Sequence, residues 1–120
     1  MLKETDIPNL YIICDTTDMR KGLKGLLEIV TAKYKLDPYS DSLFLFCGRN
    51  KRKIKALCWE GDGFLLMSKS LNSMDSKYKW PKNSEEAKLL TREQFTWLMQ
   101  GLAIEQPKAI KTTNVKYDLY

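Results

Sequence analysis

The chain has 120 residues, 43% of them hydrophobic and 29% charged, which is enough for one domain with a modest core. Twenty basic against fifteen acidic residues give a formal net charge of +5. Because histidine is absent, catalysis by a Ser–His or Cys–His pair is excluded and an ordinary zinc site is disfavoured. The three cysteines lie in separate apolar runs and are predicted to be buried, reduced thiols. Residues 1–6 lack the apolar core of a signal peptide and no apolar run is long enough to span a membrane, so we predict a cytoplasmic protein.

The first part of the chain predicts a strand, a helix and a second strand. Residues 10–14 form a short apolar run rich in β-formers, typical of a strand buried on both faces. Apolar residues then recur at helical spacing through residues 19–34, and Asp18 is a candidate N-cap. Gly22 is expected to lie inside this helix. Residues 43–47 predict the second strand, again apolar on both faces.

Two tight connections are predicted in the middle of the chain. Residues 48–51 are typical of a hairpin turn that leads into a third strand at residues 53–59. A glycine-rich turn at residues 61–63 then leads into a fourth strand, residues 64–71. Side chains should alternate between the two faces of these strands.

The last part of the chain predicts a short strand, a helix and a tail. Residues 77–80 alternate lysine with aromatic residues and are interpreted as an optional fifth strand. Thr91 and Gln94 form a capping box, which predicts the start of the second helix. Residues 1–105 are predicted to be one domain, and residues 106–120 a polar C-terminal tail.

The predicted order of elements is therefore β-α-β-β-β-(β)-α. Hairpins join the central strands, so we expect a mainly antiparallel sheet of four to five strands. The two amphipathic helices must bury their apolar stripes, and the simplest arrangement packs both on one face of the sheet. The fold class is α+β.

A run of cations surrounds the first hairpin without an intervening acid. Such dense charge is best rationalised by an anionic partner, most commonly nucleic-acid phosphate. The alternative is a solvated turn whose charges protect a sheet edge from aggregation. The cations of this hairpin are Arg49, Lys51, Arg52, Lys53 and Lys55.

Two further groups have a binding and a structural interpretation. Arg20, Lys21 and Lys24 form a second basic group that either clamps a phosphate or belongs to an ordinary polar helix face, which is the favoured interpretation. Trp59 and Trp80 are placed among cations and would be able to stack on bases, but tryptophans in a small chain more often pack in the core.

A catalytic centre is not indicated. Asp15, Asp18, Glu60 and Asp62 are candidate ligands for the metal ions of a nuclease, yet Asp18 has the character of a cap and Asp62 lies in a turn. The chain has no glycine-rich loop of the kind that cradles phosphates. We therefore predict no catalytic residue, no metal site and no cofactor.

Several segments together resemble one protein family. The sequence TDMRKG at residues 17–22, GRNK at residues 48–51, WEGDGF at residues 59–64 and the Trp-Pro pair at residues 80–81 are similar to the Orf2-like accessory protein, often called TnpB, of IS66-type insertion sequences. The resemblance covers about residues 8–105.

The resemblance implies a non-catalytic accessory role in transposition beside a separate transposase. It assigns DNA or transposase contacts to the cations, and turn-shaping or bracing roles to the glycines and aspartates. The predicted nucleic-acid-binding residues are Arg20, Lys21, Arg49, Lys51, Arg52, Lys53, Lys55 and Trp59. The predicted structural residues are Asp18, Gly22, Gly48, Gly61, Asp62, Gly63 and Trp80.

The sequence thus predicts an accessory protein that binds DNA at the ends of an insertion sequence through a basic hairpin. Its expected partners are DNA and the transposase of the same element. Two alternatives remain open: an adaptor that binds the transposase without specific DNA binding, and a small metal-dependent nuclease.

Overall fold

A five-stranded mixed sheet forms the middle of the protein. The structure is a computed structural model and describes residues 9–81 and 85–106. The strands are β1 (Asn9–Ile13), β2 (Ser42–Cys47), β3 (Lys53–Trp59), β4 (Phe64–Ser70) and β5 (Ala87–Leu90). They lie side by side in the order β4-β3-β2-β1-β5.

Strand direction follows from the connections. β1 and β2 are parallel, because a helical crossover joins them. The pairs β2–β3, β3–β4 and β1–β5 are antiparallel, and tight turns join the first two of these pairs. The predicted α+β class and the mainly antiparallel sheet are confirmed.

The two helices begin differently. α1 (Leu23–Glu28) continues as a π-helical stretch, Ile29–Lys33, and Gly22 occupies its N-cap position without any side-chain cap. The prediction of a helix from residue 19 with Asp18 as its cap was therefore wrong. α2 (Arg92–Met99) begins at the predicted capping box, in which the backbone N–H of Gln94 donates to the hydroxyl of Thr91 at 3.0 Å.

The helices pack on opposite faces of the sheet, which corrects the prediction that both cover one face. Leu26 of α1 lies in a cluster with Phe44 and Phe46. Leu98 of α2 lies in a second cluster with Leu43 and Leu45. The reason is that every residue of β2 is buried, so both faces of the central strands carry apolar side chains that need a cover.

The fifth strand is not the predicted one. Residues 77–80 are irregular, and β5 is instead Ala87–Leu90, which pairs with β1. The alternation of lysine with aromatic residues reflects burial without a strand ladder: Tyr78 and Trp80 are 2% and 3% exposed, while Lys77 and Lys79 are exposed. The prediction that Trp80 packs in the core is confirmed.

The three cysteines are buried, as predicted. Burial raises the pKa of the Cys47 thiol to about 12 and also raises the pKa of Cys58. Both thiols are therefore protonated and unreactive at neutral pH.

An apolar groove remains open on the α2 face of the sheet. It has a volume of about 570 Å³ and runs between α2, which contributes Phe95 and Met99, and β4, which contributes Met67 and Lys69. α2 therefore covers only part of this face. The predicted C-terminal tail lies, from residue 107 onward, outside the described residues.

Candidate nucleic-acid interface

Two segments that resemble family motifs meet at one end of the sheet. The backbone N–H of Thr17, which follows β1, donates to the carbonyl of Cys47 at the end of β2 over 2.8 Å. The segment at residues 16–20 and the hairpin residues 48–50, with Lys53, line a cleft of about 590 Å³, here called the motif cleft. The fold thus brings together residues that the sequence keeps apart.

Gly48 is required by this close approach. A Cβ atom at Gly48 would lie 2.7 Å from Cγ of Met19, a distance that real Cβ atoms essentially never show. The missing side chain lets the segment after β1 pack directly on the hairpin. Gly48 therefore shapes the motif cleft, as well as the turn assigned to it from the sequence.

The exchange Gly48→Ala is expected to destabilise the fold by about 1–3 kcal/mol, because the added methyl overpacks the contact with Met19. Chemical denaturation of the purified variant measures this loss. The double variant Gly48→Ala with Met19→Ala should recover part of it, since the second exchange makes room for the methyl group. A single variant as stable as the parent protein would contradict the packing argument.

Asp18 and Arg20 form a local ion pair on the rim of the motif cleft. Nη2 of Arg20 donates to Oδ2 of Asp18 at 2.8 Å, and the Arg20 backbone N–H donates to Oδ1 at 2.9 Å. These hydrogen bonds hold the pKa of Asp18 well below its usual range, so the carboxylate stays ionised. The Arg20 side chain is nevertheless 92% exposed and keeps free donor directions toward solvent.

Lys55 forms a hydrogen bond to another segment of the protein. Its Nζ donates to the backbone carbonyl of Lys21 at 2.8 Å, joining β3 to the segment that precedes α1. The Lys21 side chain itself is exposed. Of these two predicted DNA contacts, Lys21 is thus available on the surface, whereas Lys55 ties the motif segment to the sheet.

The Arg52 side chain and the Lys51 backbone also form hydrogen bonds to other segments of the protein. Nη2 of Arg52 donates to the carbonyl of Leu71 at 3.3 Å, and the backbone N–H of Leu71 donates to the Arg52 carbonyl at 2.8 Å. The carbonyl of Lys51, a residue at φ 60°, accepts from the N–H of Tyr78 at 2.7 Å. Arg52 therefore fastens the hairpin to the end of β4, and Arg49 and Lys53 are its cations in the motif cleft.

A second cleft lies on the other side of the hairpin and is here called the lysine cleft. Its volume is about 840 Å³. Arg49 and Asn50 line it, as they line the motif cleft. Among the described residues, its cations are Arg49, Lys51, Lys77, Lys79 and Lys88, and its acids are Glu86 and Glu105.

Sequence reasoning missed Lys77, Lys79 and Lys88 as site residues. The signal for two of them was present, because buried aromatics at positions 78 and 80 force the intervening lysines outward. Their nearness to the hairpin could not be predicted from the local sequence, because it depends on residues 77–81 lying beside the end of β1. The indole N–H of Trp80 fixes that position by donating to the carbonyl of Ile13 at 2.8 Å.

Trp59 lies at the opposite end of β3 from the basic hairpin. It lies six positions along the extended strand from Lys53, which corresponds to about 20 Å. Its ring packs against Tyr39 at 5.0 Å and Phe64 at 4.9 Å between centroids. The structure therefore does not bring Trp59 together with the predicted nucleic-acid contacts, and its ring belongs to an aromatic cluster.

The second turn lies near Trp59, away from both clefts. Gly61 has φ 91°, a left-handed conformation that favours glycine, and the N–H of Glu60 donates to the carbonyl of Gly63 at 2.9 Å. Asp62 is exposed in this turn. An added Cβ would meet nothing within 4 Å at Gly22 or Gly63, so packing does not demand glycine at these two positions.

The carboxylates considered for metal catalysis are divided between the two ends of the sheet. Asp15 and Asp18 follow β1 at the hairpin end, while Glu60 and Asp62 lie in the turn between β3 and β4. In the parts of the chain that the structure describes, no group of three or more His, Cys, Asp or Glu side chains is placed to hold a metal ion.

The sheet, its helices on opposite faces and the hairpin between two cation-lined clefts define a small basic α+β protein. The chain belongs to the family of IS66 Orf2-like proteins, whose family model matches residues 8–109. It is therefore a transposition-associated accessory protein.

Two curated relatives come from Sinorhizobium fredii (strain NBRC 101917 / NGR234). The chain is 28% identical to uncharacterized protein y4jC over 93 residues, which is 78% of each chain. It is 29% identical to uncharacterized protein y4hO over 108 residues, which is 90% of this chain and 92% of the relative. No solved structure matches the chain. Within residues 9–81 and 85–106, none of the helices has the length and apolar character needed to cross a bilayer.

Proposed function

We propose that this protein binds DNA, at the ends of its insertion sequence, through the motif cleft and the basic hairpin beside it. The observation that carries the proposal is the charge of that cleft. Arg20, Arg49 and Lys53 line it together, and the single carboxylate among its described lining residues, Asp18, is already paired with Arg20.

The chemistry of the cleft suits phosphate groups. Arginine presents several N–H donors that fork onto phosphate oxygens, and lysine neutralises phosphate as a point charge. Thr16, which is exposed, is a further polar residue of the lining. Because the hairpin tip at Arg49 and Asn50 is exposed, a nucleic-acid backbone has access to these groups without any rearrangement of the sheet.

The proposed role is non-catalytic. A separate transposase would carry out strand cleavage, and this protein would hold DNA for it. The division of the candidate carboxylates between opposite ends of the sheet supports this assignment over a metal-dependent nuclease, because a two-metal site needs its ligands within a few ångströms of one another.

Binding of the purified protein to labelled element-end DNA and to scrambled DNA of equal length, measured across a salt series, tests the proposal. End-selective binding whose logarithm falls steeply with the logarithm of salt concentration is expected, and the slope estimates how many phosphates are contacted. Weak binding that is equal for both DNAs would contradict the proposed specificity and favour the adaptor function.

The apolar groove favours that second candidate, an adaptor that binds the transposase. Met67 at its edge is exposed, and Lys69 is the one charged residue among its described lining residues. An apolar segment of the transposase flanked by acidic side chains would match both the groove and the lysine. A second copy of this chain is less suitable, since it would place Lys69 near its own counterpart.

Co-purification of the two proteins after nuclease treatment tests the adaptor function. The exchange Met67→Glu should abolish co-purification and leave DNA binding unchanged, because Met67 lies on the face away from the motif cleft. Retention of the Met67→Glu protein on the transposase would show that the groove is not the docking site. Self-association of the parent protein, measured by light scattering, would indicate a second copy as the occupant.

A further inference from the structure

The tip of the basic hairpin is a ridge between two cation-lined clefts. Arg49 and Asn50 line both the motif cleft and the lysine cleft. Lys53 belongs to the first cleft and Lys51 to the second. A nucleic acid bound in either cleft would therefore contact the same tip from opposite sides.

Both clefts keep a positive excess after their ion pairs are considered. In the motif cleft, Asp18 offsets one of the three cations. In the lysine cleft, Glu105 lies 3.8 Å from Lys88, and with Glu86 counted as well the five cations outnumber the two carboxylates among the described lining residues by three. A single continuous duplex on one side of the tip would leave the other positive cleft uncompensated.

The two clefts also differ in chemistry. Polar residues such as Thr16 and the three cations line the motif cleft, and these groups suit a phosphate backbone. The lysine cleft combines its cations with an apolar wall that includes Pro81, Ala103 and Ile104. Unpaired bases present apolar faces together with phosphates, so a single strand fits this combination.

We propose that the ligand of this surface is branched DNA, with one strand of a fork in each cleft and the hairpin tip at the point where the strands separate. This inference rests on the proposed function and adds to it the form of the DNA. It assigns Lys77 and Lys79 to the strand that lies in the lysine cleft, and Arg49 to both strands.

The test compares the affinity of the full chain for a blunt duplex and for a fork with two unpaired arms, of equal total nucleotides and at one salt concentration. The fork is expected to bind about 10-fold more tightly, since it engages both positive clefts. The double variant Lys77→Gln with Lys79→Gln should lower fork affinity by about 10-fold and change duplex affinity by less than about 2-fold.

The double variant Lys35→Gln with Lys69→Gln is the matched control, because it removes the same charge from positions that line neither cleft. It should preserve the preference for the fork. Equal affinity of the parent protein for both DNAs would overturn the inference and leave the proposed function standing, as would an equal loss on both DNAs in the Lys77 and Lys79 variant. Failure to bind either DNA would overturn the proposed function and the inference together.

Discussion

Exchanging Arg49 and Lys53 together for glutamine is expected to lower affinity for DNA by about 50-fold at 0.1 M salt. Each lost phosphate contact removes the release of roughly one counterion, so the slope of log affinity against log salt should become about 2 units shallower. Both residues line the motif cleft. The backbone bond from the N–H of Gly48 to the carbonyl of Lys53 does not depend on the exchanged side chains. Fluorescence anisotropy across a salt series measures both effects.

The control for this prediction is again Lys35→Gln with Lys69→Gln, which lowers the net charge equally. If the control and the test variant lose the same affinity, binding depends on total charge and not on the cleft. Arg52 and Lys55 are left intact in the test because their side chains bond to the carbonyls of Leu71 and Lys21. Their removal would confuse a loss of binding with a loss of structure.

The exchange Trp80→Ala is expected to destabilise the protein by about 3–5 kcal/mol. The indole is 3% exposed within the α2-side core and donates to the carbonyl of Ile13, 67 residues away. Its loss creates a cavity and leaves a buried acceptor without that donor. Since small domains are stable by only about 5–15 kcal/mol, this variant is expected to lie near the limit of folding.

The milder variant Trp80→Phe keeps most of the apolar volume and removes the donor, so it should cost about 1–3 kcal/mol and remain folded. Urea denaturation of both variants gives their free energies of unfolding. The difference between them separates the cost of the cavity from the cost of the lost hydrogen bond. A loss below about 1 kcal/mol for Trp80→Ala would show that the core does not depend on the indole. Trp59→Ala offers a comparison. Because Trp59 is only partly buried, this exchange should lower the free energy of unfolding by less than Trp80→Ala does.

The run of cations at the hairpin divides into binding and structural residues only when the fold is known. The pattern of the sequence treats Arg49, Arg52 and Lys55 alike, as cations near a turn. In the structure Arg49 is exposed between two clefts, whereas Arg52 and Lys55 donate to carbonyls of distant segments. Those carbonyl partners lie 19 and 34 residues away, beyond the reach of any local pattern.

Local signals predicted the elements that depend on near neighbours. The capping box at Thr91 and Gln94 marked the start of α2, because both of its hydrogen bonds are made within one turn. The alternation expected along the strands is found in β3, where Ile54 and Leu57 lie in the clusters on opposite faces of the sheet. The start of α1 was misjudged because Asp18 bonds to Arg20 in the turn that precedes the helix.

The sequence by itself determined the α+β class, the buried thiols, the hairpin and its charge, because composition, periodicity and turn chemistry are properties of short segments. The tertiary structure alone decided the faces on which the helices pack, the identity of β5 and the two clefts beside Arg49. Each of these depends on contacts between segments far apart in the chain, such as Met19 with Gly48 and Trp80 with Ile13.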